Sequence, residues 1–389
     1  MRARALVLSL LIATATMTFA LADPGLLVPA SGSPMSVARA NNVAIGDVNR
    51  DGHPDLVVTA ARANGVTVLL GRGDGRFAPM PSGAIAVAEN PHELALGDVN
   101  GDGNLDLALG NHDSYRVTLL AGDGMGGFRL APGSPVVMKE ERQPHTHGLA
   151  IADFNGDRKP DLVTVNSNDD NDVAVMLGDG KWGFTRARGS PFSVGPAPYP
   201  LALGDLDADG ALDMVVTSTG LGPLTAVAPP SNLVTVLFGD GRGDFRRHDV
   251  RLRTSGTWFV AIADVNGDHT PDLAVTHGND RVLSVLLGNG RGDFTEVRDS
   301  PFDLGQKAFY VGLADLNHDG YPDAIGAADN GVRVLLGDGR GGFAAAPGSP
   351  FETGKGTWRL ALGDVNADGK PDVATSNLES DSVSVLLGR

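Results

Sequence analysis

The 389-residue chain carries 31 Lys and Arg against 47 Asp and Glu, a formal charge of −16, with no cysteine and 5% aromatic residues. An acidic balance with no basic cluster excludes nucleic-acid binding. The absence of cysteine excludes disulfides, so an exported fold of this kind must be cross-linked by other means.

The chain opens with an export signal. Arg2 and Arg4 give a charged start, Ala5 to Ala15 an apolar stretch, and Ala20-Leu-Ala22 a small-x-small cleavage site. Residues 1–22 are therefore expected to be removed, leaving 23–389 as one secreted or periplasmic domain. The apolar stretch is shorter than the roughly 20 residues that span a bilayer, and no later run reaches that length. No transmembrane span is expected, and the mature chain is expected to be a monomer.

One nine-residue acidic loop then recurs seven times. Its oxygen-bearing positions 1, 3, 5 and 9 are Asp47, Asn49, Asp51 and Asp55; Asp98, Asn100, Asp102 and Asp106; Asp153, Asn155, Asp157 and Asp161; Asp205, Asp207, Asp209 and Asp213; Asp264, Asn266, Asp268 and Asp272; Asp315, Asn317, Asp319 and Asp323; and Asp364, Asn366, Asp368 and Asp372. Alternating oxygen donors in a tight loop suit a hard cation such as Ca2+. The lack of Cys or His at the repeated positions argues against zinc or copper there. The start of the loop resembles an EF-hand, but no Glu stands at position 12. Strand-like runs flank it, such as Leu94–Gly97 and Leu105–Leu109. The plain alternative is an Asx-turn without metal. Up to seven Ca2+ are expected. Weaker binding is expected at the third and fifth loops, where Arg158 and His269 replace the glycine of position 6, a site that favours positive φ. The loops hold 22 of the 47 acidic residues. Without Arg2 and Arg4 the charge is about −18, and seven Ca2+ would bring it to about −4, so the acidity is mostly ligand charge.

Successive loops start 51, 55, 52, 59, 51 and 49 residues apart. Periods near 50 mark propellers or solenoids. Each unit reads as four β-branched, alternating strands bounded by Gly, Asn and Asp. In the last unit these are Trp358–Gly363, Asp372–Thr375 and Ser382–Leu387. The fourth is seen in other units after a Gly-rich turn such as Gly337–Phe343. No segment reads as a helix. The expectation is an all-β, seven-bladed propeller of four-stranded blades. The last unit stops after its third strand, while Leu27–Met35 matches Phe343–Phe351. That N-terminal segment is expected to complete the last blade and close the ring.

The Asp-x-Asn-x-Asp-Gly-x-x-Asp loop and the Leu-Leu-Gly-x-Gly-x-Gly-x-Phe turn, repeated over residues 26–389, resemble the FG-GAP/VCBS repeat proteins. These are related in fold to the propeller of the integrin α-subunit. The resemblance implies calcium on one face of the ring. It names no ligand, because such folds host mixed functions.

Calcium loops and Gly-rich turns should share one face. On the other, the sixth residue before each leading Asp is Asn41, His92, His147, Tyr199, Trp258, Phe309 or Trp358, six of seven being rings. The next position adds Phe259 and Tyr310. These should surround the hub beside polar loops at Asn111–Asp113, Asn166–Asp170, His277–Asp280 and Asn377–Asp381. Rings beside amides and carboxylates suit sugar stacking or capture of a cation. The integrin resemblance agrees, since its hub cage receives a basic residue from a partner subunit. The rings could equally serve only to fill the hub.

His92, His112, His145 and His147 fall on the same face. A His-x-His pair can hold zinc or copper and histidine can act as a base, though no third ligand can be fixed from sequence. Arg242-Gly-Asp244 and Arg291-Gly-Asp293 read as variants of the Gly-Arg-Gly-Gly turn, not adhesion signals. An insertion at Ser218–Asn232 could overhang the hub or form a surface loop. The leading expectation is a binding module for a glycan or protein partner, not an enzyme. The alternatives are a lyase-like polysaccharide-degrading enzyme and a structural component.

Overall fold

The computed structural model describes residues 25–60, 63–87, 90–140, 145–167, 171–220, 230–278, 280–329 and 331–389. The expected signal segment lies outside them, as do residues 168–170, 221–229 and 279 of the polar loops and the insertion.

Seven antiparallel sheets stand in a ring, and the described residues include no helix and hence none able to cross a membrane. The first blade runs Ala40–Gly46, Asp55–Ala60, Gly65–Gly71 and Phe77–Pro79, and its strands pair in that order. The other blades repeat it, with first strands at Pro91–Gly97, Thr146–Ala152, Pro198–Gly204, Thr257–Ala263, Ala308–Ala314 and Thr357–Gly363. Each first strand touches that of the next blade, and the contact from Thr357–Gly363 to Ala40–Gly46 completes the circle.

The strands follow from composition. Second strands such as Asp55–Ala60 and Asp161–Asn166 are buried at every residue, and they are rich in Leu and Val with little polar alternation. The core is a set of layers between adjacent blades. Leu56, Val58 and Val43 of the first blade meet Ala374, Val383 and Val385 of the seventh. Met214, Val216 and Leu237 of the fourth meet Val163, Val165 and Val175 of the third.

The seventh blade takes strands from both ends of the chain. Leu27–Pro29 pairs antiparallel with Ser382–Gly388, in the register Leu27 to Gly388 and Pro29 to Leu386, and Met35–Ser36 pairs further along the same strand. Ser33 Oγ accepts the Val385 N–H at 2.9 Å, as Ser349 Oγ accepts that of Val334 in the sixth blade.

A bulge interrupts the first strand of every blade. The register slips between Ala40 and Asn42, between Pro91 and Glu93, and at the matching place in the other five. The extra residue lies at the sixth position before the acidic loop. A bulge re-aims a side chain that regular pleating would place elsewhere.

Candidate functional site

The acidic loops are built alike. In the first, the Asp51 and Gly52 N–H groups donate to the two oxygens of Asp47, the Asp51 N–H also reaches Asn49 Oδ1, and the His53 N–H donates to Asp51 Oδ1. The turn thus wraps around its own carboxylates. Position 6 has positive φ in all seven loops, including Arg158 at 64° and His269 at 66°. Position 4 does too, which the sequence did not reveal. There the residues are Arg50, Gly101, Gly156, Ala208, Gly267, His318 and Ala367. A left-handed residue with a Cβ costs about 1 kcal/mol, so six loops carry one such residue and the second alone carries none. Backbone strain therefore does not single out the third and fifth.

Position 9 has a further role. Asp55 Oδ2 accepts the Val48 N–H at 3.0 Å and its Oδ1 the Gly71 N–H at 2.7 Å. The corresponding Asp of every blade makes the same two bonds. This buried carboxylate braces the loop against the third strand. Gly71 must be glycine, because a Cβ there would lie 2.0 Å from the Pro54 carbonyl oxygen. Burial pushes Asp161, Asp213 and Asp272 up to about 6, the two backbone bonds oppose that, and neighbouring loop carboxylates add to it.

The donor set fits a hard cation. In the fourth loop, oxygens of Asp205, Asp207 and Asp209 lie within 4.8 Å of one another, and the shielded Asp207 Oδ1 has no hydrogen-bond partner. A bound cation would satisfy that oxygen and relieve the mutual repulsion.

The first strand's seven residues place the hub face about 20 Å from these loops, at about 3.3 Å per residue. The bulged residues form a nearly continuous arc. Ring centroids are 6.4 Å apart from His92 to His147, 4.3 Å on to Tyr199, 4.9 Å to Trp258, 5.5 Å to Phe309 and 5.0 Å to Trp358. Tyr199 is buried and the others are half-buried, so most of the arc is packed ring on ring. The exception is Asn41. Its side chain is too short to bridge Trp358 and His92, and its Nδ2 donates to the His92 carbonyl at 3.1 Å. A cavity of about 220 Å³ opens at this gap, lined by Arg39, Asn41, Asn90, His92, His112, Trp358 and Leu378.

The next layer inward holds a cation of the chain's own. The Arg359 guanidinium lies 5.8 Å from the Phe259 ring and 5.5 Å from that of Tyr310, and it pairs with Glu93. Arg359 and Glu93 are both buried. The two rings pack on each other, with centroids 3.7 Å apart, and the internal arginine lies beside the pair.

The histidines converge. His112 is 4.1 Å from His145 and 5.4 Å from His147 between ring centroids, and His145 is 4.1 Å from His147. His92 lies 5.0 Å from His112. A backbone bond from Thr146 N–H to the His112 carbonyl ties the second and third blades together here, and one from Ser167 N–H to the His145 carbonyl holds the third blade's own first and second strands. Burial, reinforced by neighbouring imidazoles, pushes His145 down to about 4 and His147 well below its ordinary value. His277, by contrast, is a satisfied core residue, with Nδ1 on the Ser255 carbonyl and Nε2 on Ser284 Oγ. Arg242-Gly-Asp244 is a turn closed by the Asp240 N–H on the Asp244 carbonyl, like Asp338 on Gly342.

A model of the FG-GAP-like repeat matches residues 47–109, 98–164, 153–216, 264–326 and 315–375. A comparison with curated protein sequences returns no significant match. Among solved structures, the chain is similar to BBS1N in its complex with ARL6DN, with 12% identity, a TM-score of 0.62, and 94% of this chain and 98% of that one covered. It is also similar to an Agrocybe aegerita lectin specific for non-reducing terminal N-acetylglucosamine (19% identity, TM-score 0.57, 88% and 87% covered). A third is the periplasmic gluconolactonase of Pseudomonas aeruginosa (16% identity, TM-score 0.58, 81% and 86% covered). At these identities the likeness is one of fold.

Proposed function

The chain belongs to the FG-GAP-like repeat family, and from that premise we propose that it is an exported, calcium-stapled binding module whose hub face takes the end of a glycan. The carrying observation is the break in the aromatic arc at Asn41. There the Trp358 and imidazole rings stand beside the Asn41 and Asn90 amides and the Arg39 guanidinium around one cavity. Ring faces cover the apolar side of a sugar, while amides and guanidinium address its hydroxyl or carboxylate oxygens. At about 220 Å³ the cavity is below the roughly 300–1,000 Å³ usual for drug-sized ligands, so a single terminal ring is its natural occupant. A lectin of this fold that reads a terminal sugar supports the same class of ligand here.

The loops would hold Ca2+ through their carboxylate and amide oxygens at positions 1, 3 and 5, with position 9 bracing the loop from behind. Bound calcium would neutralise the clustered carboxylates and fix the blades. Removal of residues 1–22 on export would leave the propeller to act outside the cytoplasm as a monomer.

A glycan array tests the reading. Sugar binding should be lost in Trp358→Ala and in Asn41→Phe, which fills the gap. It should survive in Trp258→Ala, on the packed part of the arc. Binding that persists in both of the first two variants would sink the hub assignment. Release of unsaturated products from polyuronides would instead make the protein an enzyme.

A further inference from the structure

We propose that His112, His145 and His147 form a binding site for a divalent first-row transition metal ion, Zn2+ or Cu2+, separate from the seven acidic loops. One ligand atom from each imidazole lies within 4.8 Å of the other two. Tetrahedral zinc bound at about 2.0–2.1 Å needs nitrogens about 3.3 Å apart, so modest side-chain rotation closes the set. The three rings stand mutually edge-on, with interplanar angles of 75°, 77° and 86°. That arrangement lets three ring nitrogens point at one centre without the rings stacking.

Two independent features point to an ion. His147 Nδ1 is shielded from solvent and has no hydrogen-bond partner. An orphaned nitrogen of this kind is costly unless something satisfies it. In addition, His112 Nδ1 is held by Asp113 Oδ1 at 2.7 Å, and Asn90 Nδ2 donates to the other oxygen of that carboxylate at 3.3 Å. A carboxylate behind one ring nitrogen fixes the tautomer and turns the other nitrogen outward as a metal ligand. Neutral imidazoles suit zinc and copper, whereas calcium and magnesium require oxygen.

The rest of the shell is also in place. His92 is 5.0 Å from His112, with its Nδ1 3.3 Å from Glu93 Oε1, and can act as a fourth ligand or hydrogen-bond a bound water. The site borders the hub cavity, which His92 and His112 help to line. Three protein ligands beside a cavity are the arrangement that leaves one coordination position open to water or to a ligand oxygen. The inference rests on the imidazole geometry alone and stands or falls apart from the sugar reading.

The experiment is Zn2+ titration of the full mature chain in saturating Ca2+, which keeps zinc off the acidic loops, read by competition with a chromophoric chelator. One Zn2+ per chain is expected. The variants His112→Gln, His145→Gln and His147→Gln should each lose it while retaining wild-type thermal stability in calcium. Asp113→Ala should weaken it roughly 10–100-fold. The Cu2+ form should show nitrogen hyperfine coupling in its electron paramagnetic resonance spectrum. Zinc affinity unchanged in the triple glutamine variant, or a copper spectrum without nitrogen coupling, would overturn the proposal. If one variant fails to fold, the other two and the copper spectrum still decide it.

Discussion

Arg359 Nη2 donates to Glu93 Oε1 at 2.5 Å, joining the seventh blade to the second past the first, between residues 266 apart in the chain. The Glu93 carboxylate also accepts from Asn42 Nδ2 at 3.2 Å. Both charges are out of water, so each depends on the other. Glu93→Gln is expected to cost about 3–5 kcal/mol, because it leaves the guanidinium buried without its counter-charge. The double change Glu93→Leu, Arg359→Met should cost much less, since a buried pair replaced as a unit is often near neutral. Equilibrium denaturation of the three proteins would measure this. A single variant within 1 kcal/mol of wild type would remove the pair from the list of what holds the hub.

Calcium should stabilise the fold by mass action, so the melting temperature should rise with calcium and fall on chelation. The second loop, Asp98 to Asp106, has glycine at both left-handed positions and should bind most tightly. The other six should each be weaker by about 1 kcal/mol, or about fivefold. Arg158→Gly, His269→Gly and Ala367→Gly should all tighten their own loops in calorimetric titration. If Ala367→Gly changes nothing while the first two tighten theirs, the third and fifth loops are the weak pair after all.

Deleting residues 25–36 would strip the outer strand from the seventh blade and bare the edge of Ser382–Gly388. It would also remove Leu27 and Ala30, each 4% exposed. An unpaired strand edge invites pairing between chains. A lower melting temperature and a shift from monomer to larger species on gel filtration are expected. Neither change would mean that the ring does not depend on this segment for closure.

His277 supplies a pH test away from any proposed metal. Burial pushes its folded pKa below the ordinary value of 6.5, with the Ser255 carbonyl partly opposing. Its folded form is neutral, with Nδ1 donating to Ser255 and Nε2 accepting from Ser284 Oγ. Below pH 6.5 the unfolded chain takes up a proton that the folded chain refuses. Its contribution to stability is therefore complete above 6.5 and is lost as pH falls below it, at up to about 1.4 kcal/mol per pH unit. Subtracting the His277→Gln profile from that of wild type should isolate this slope. A flat difference between pH 5 and 7 would contradict it.

Features set within a few residues along the chain could be read directly from its order of amino acids. The nine-residue loops, the period near 50, the alternating strands and the match of Leu27–Met35 to Phe343–Phe351 were all legible, because turn chemistry and strand patterning are local. The register of the six hub rings was legible too, since it is a fixed offset from each loop. What those residues do follows only from how the blades pack. A bulge at the same place in every blade turns the rings into an arc, and Asn41 breaks it. Arg359 lies beside the packed rings of Phe259 and Tyr310, and the position 9 carboxylates brace third strands about 16 residues away. His112 meets the His-x-His pair only because the second and third blades stand side by side. Each of these depends on contacts between segments distant in sequence, which no local pattern encodes.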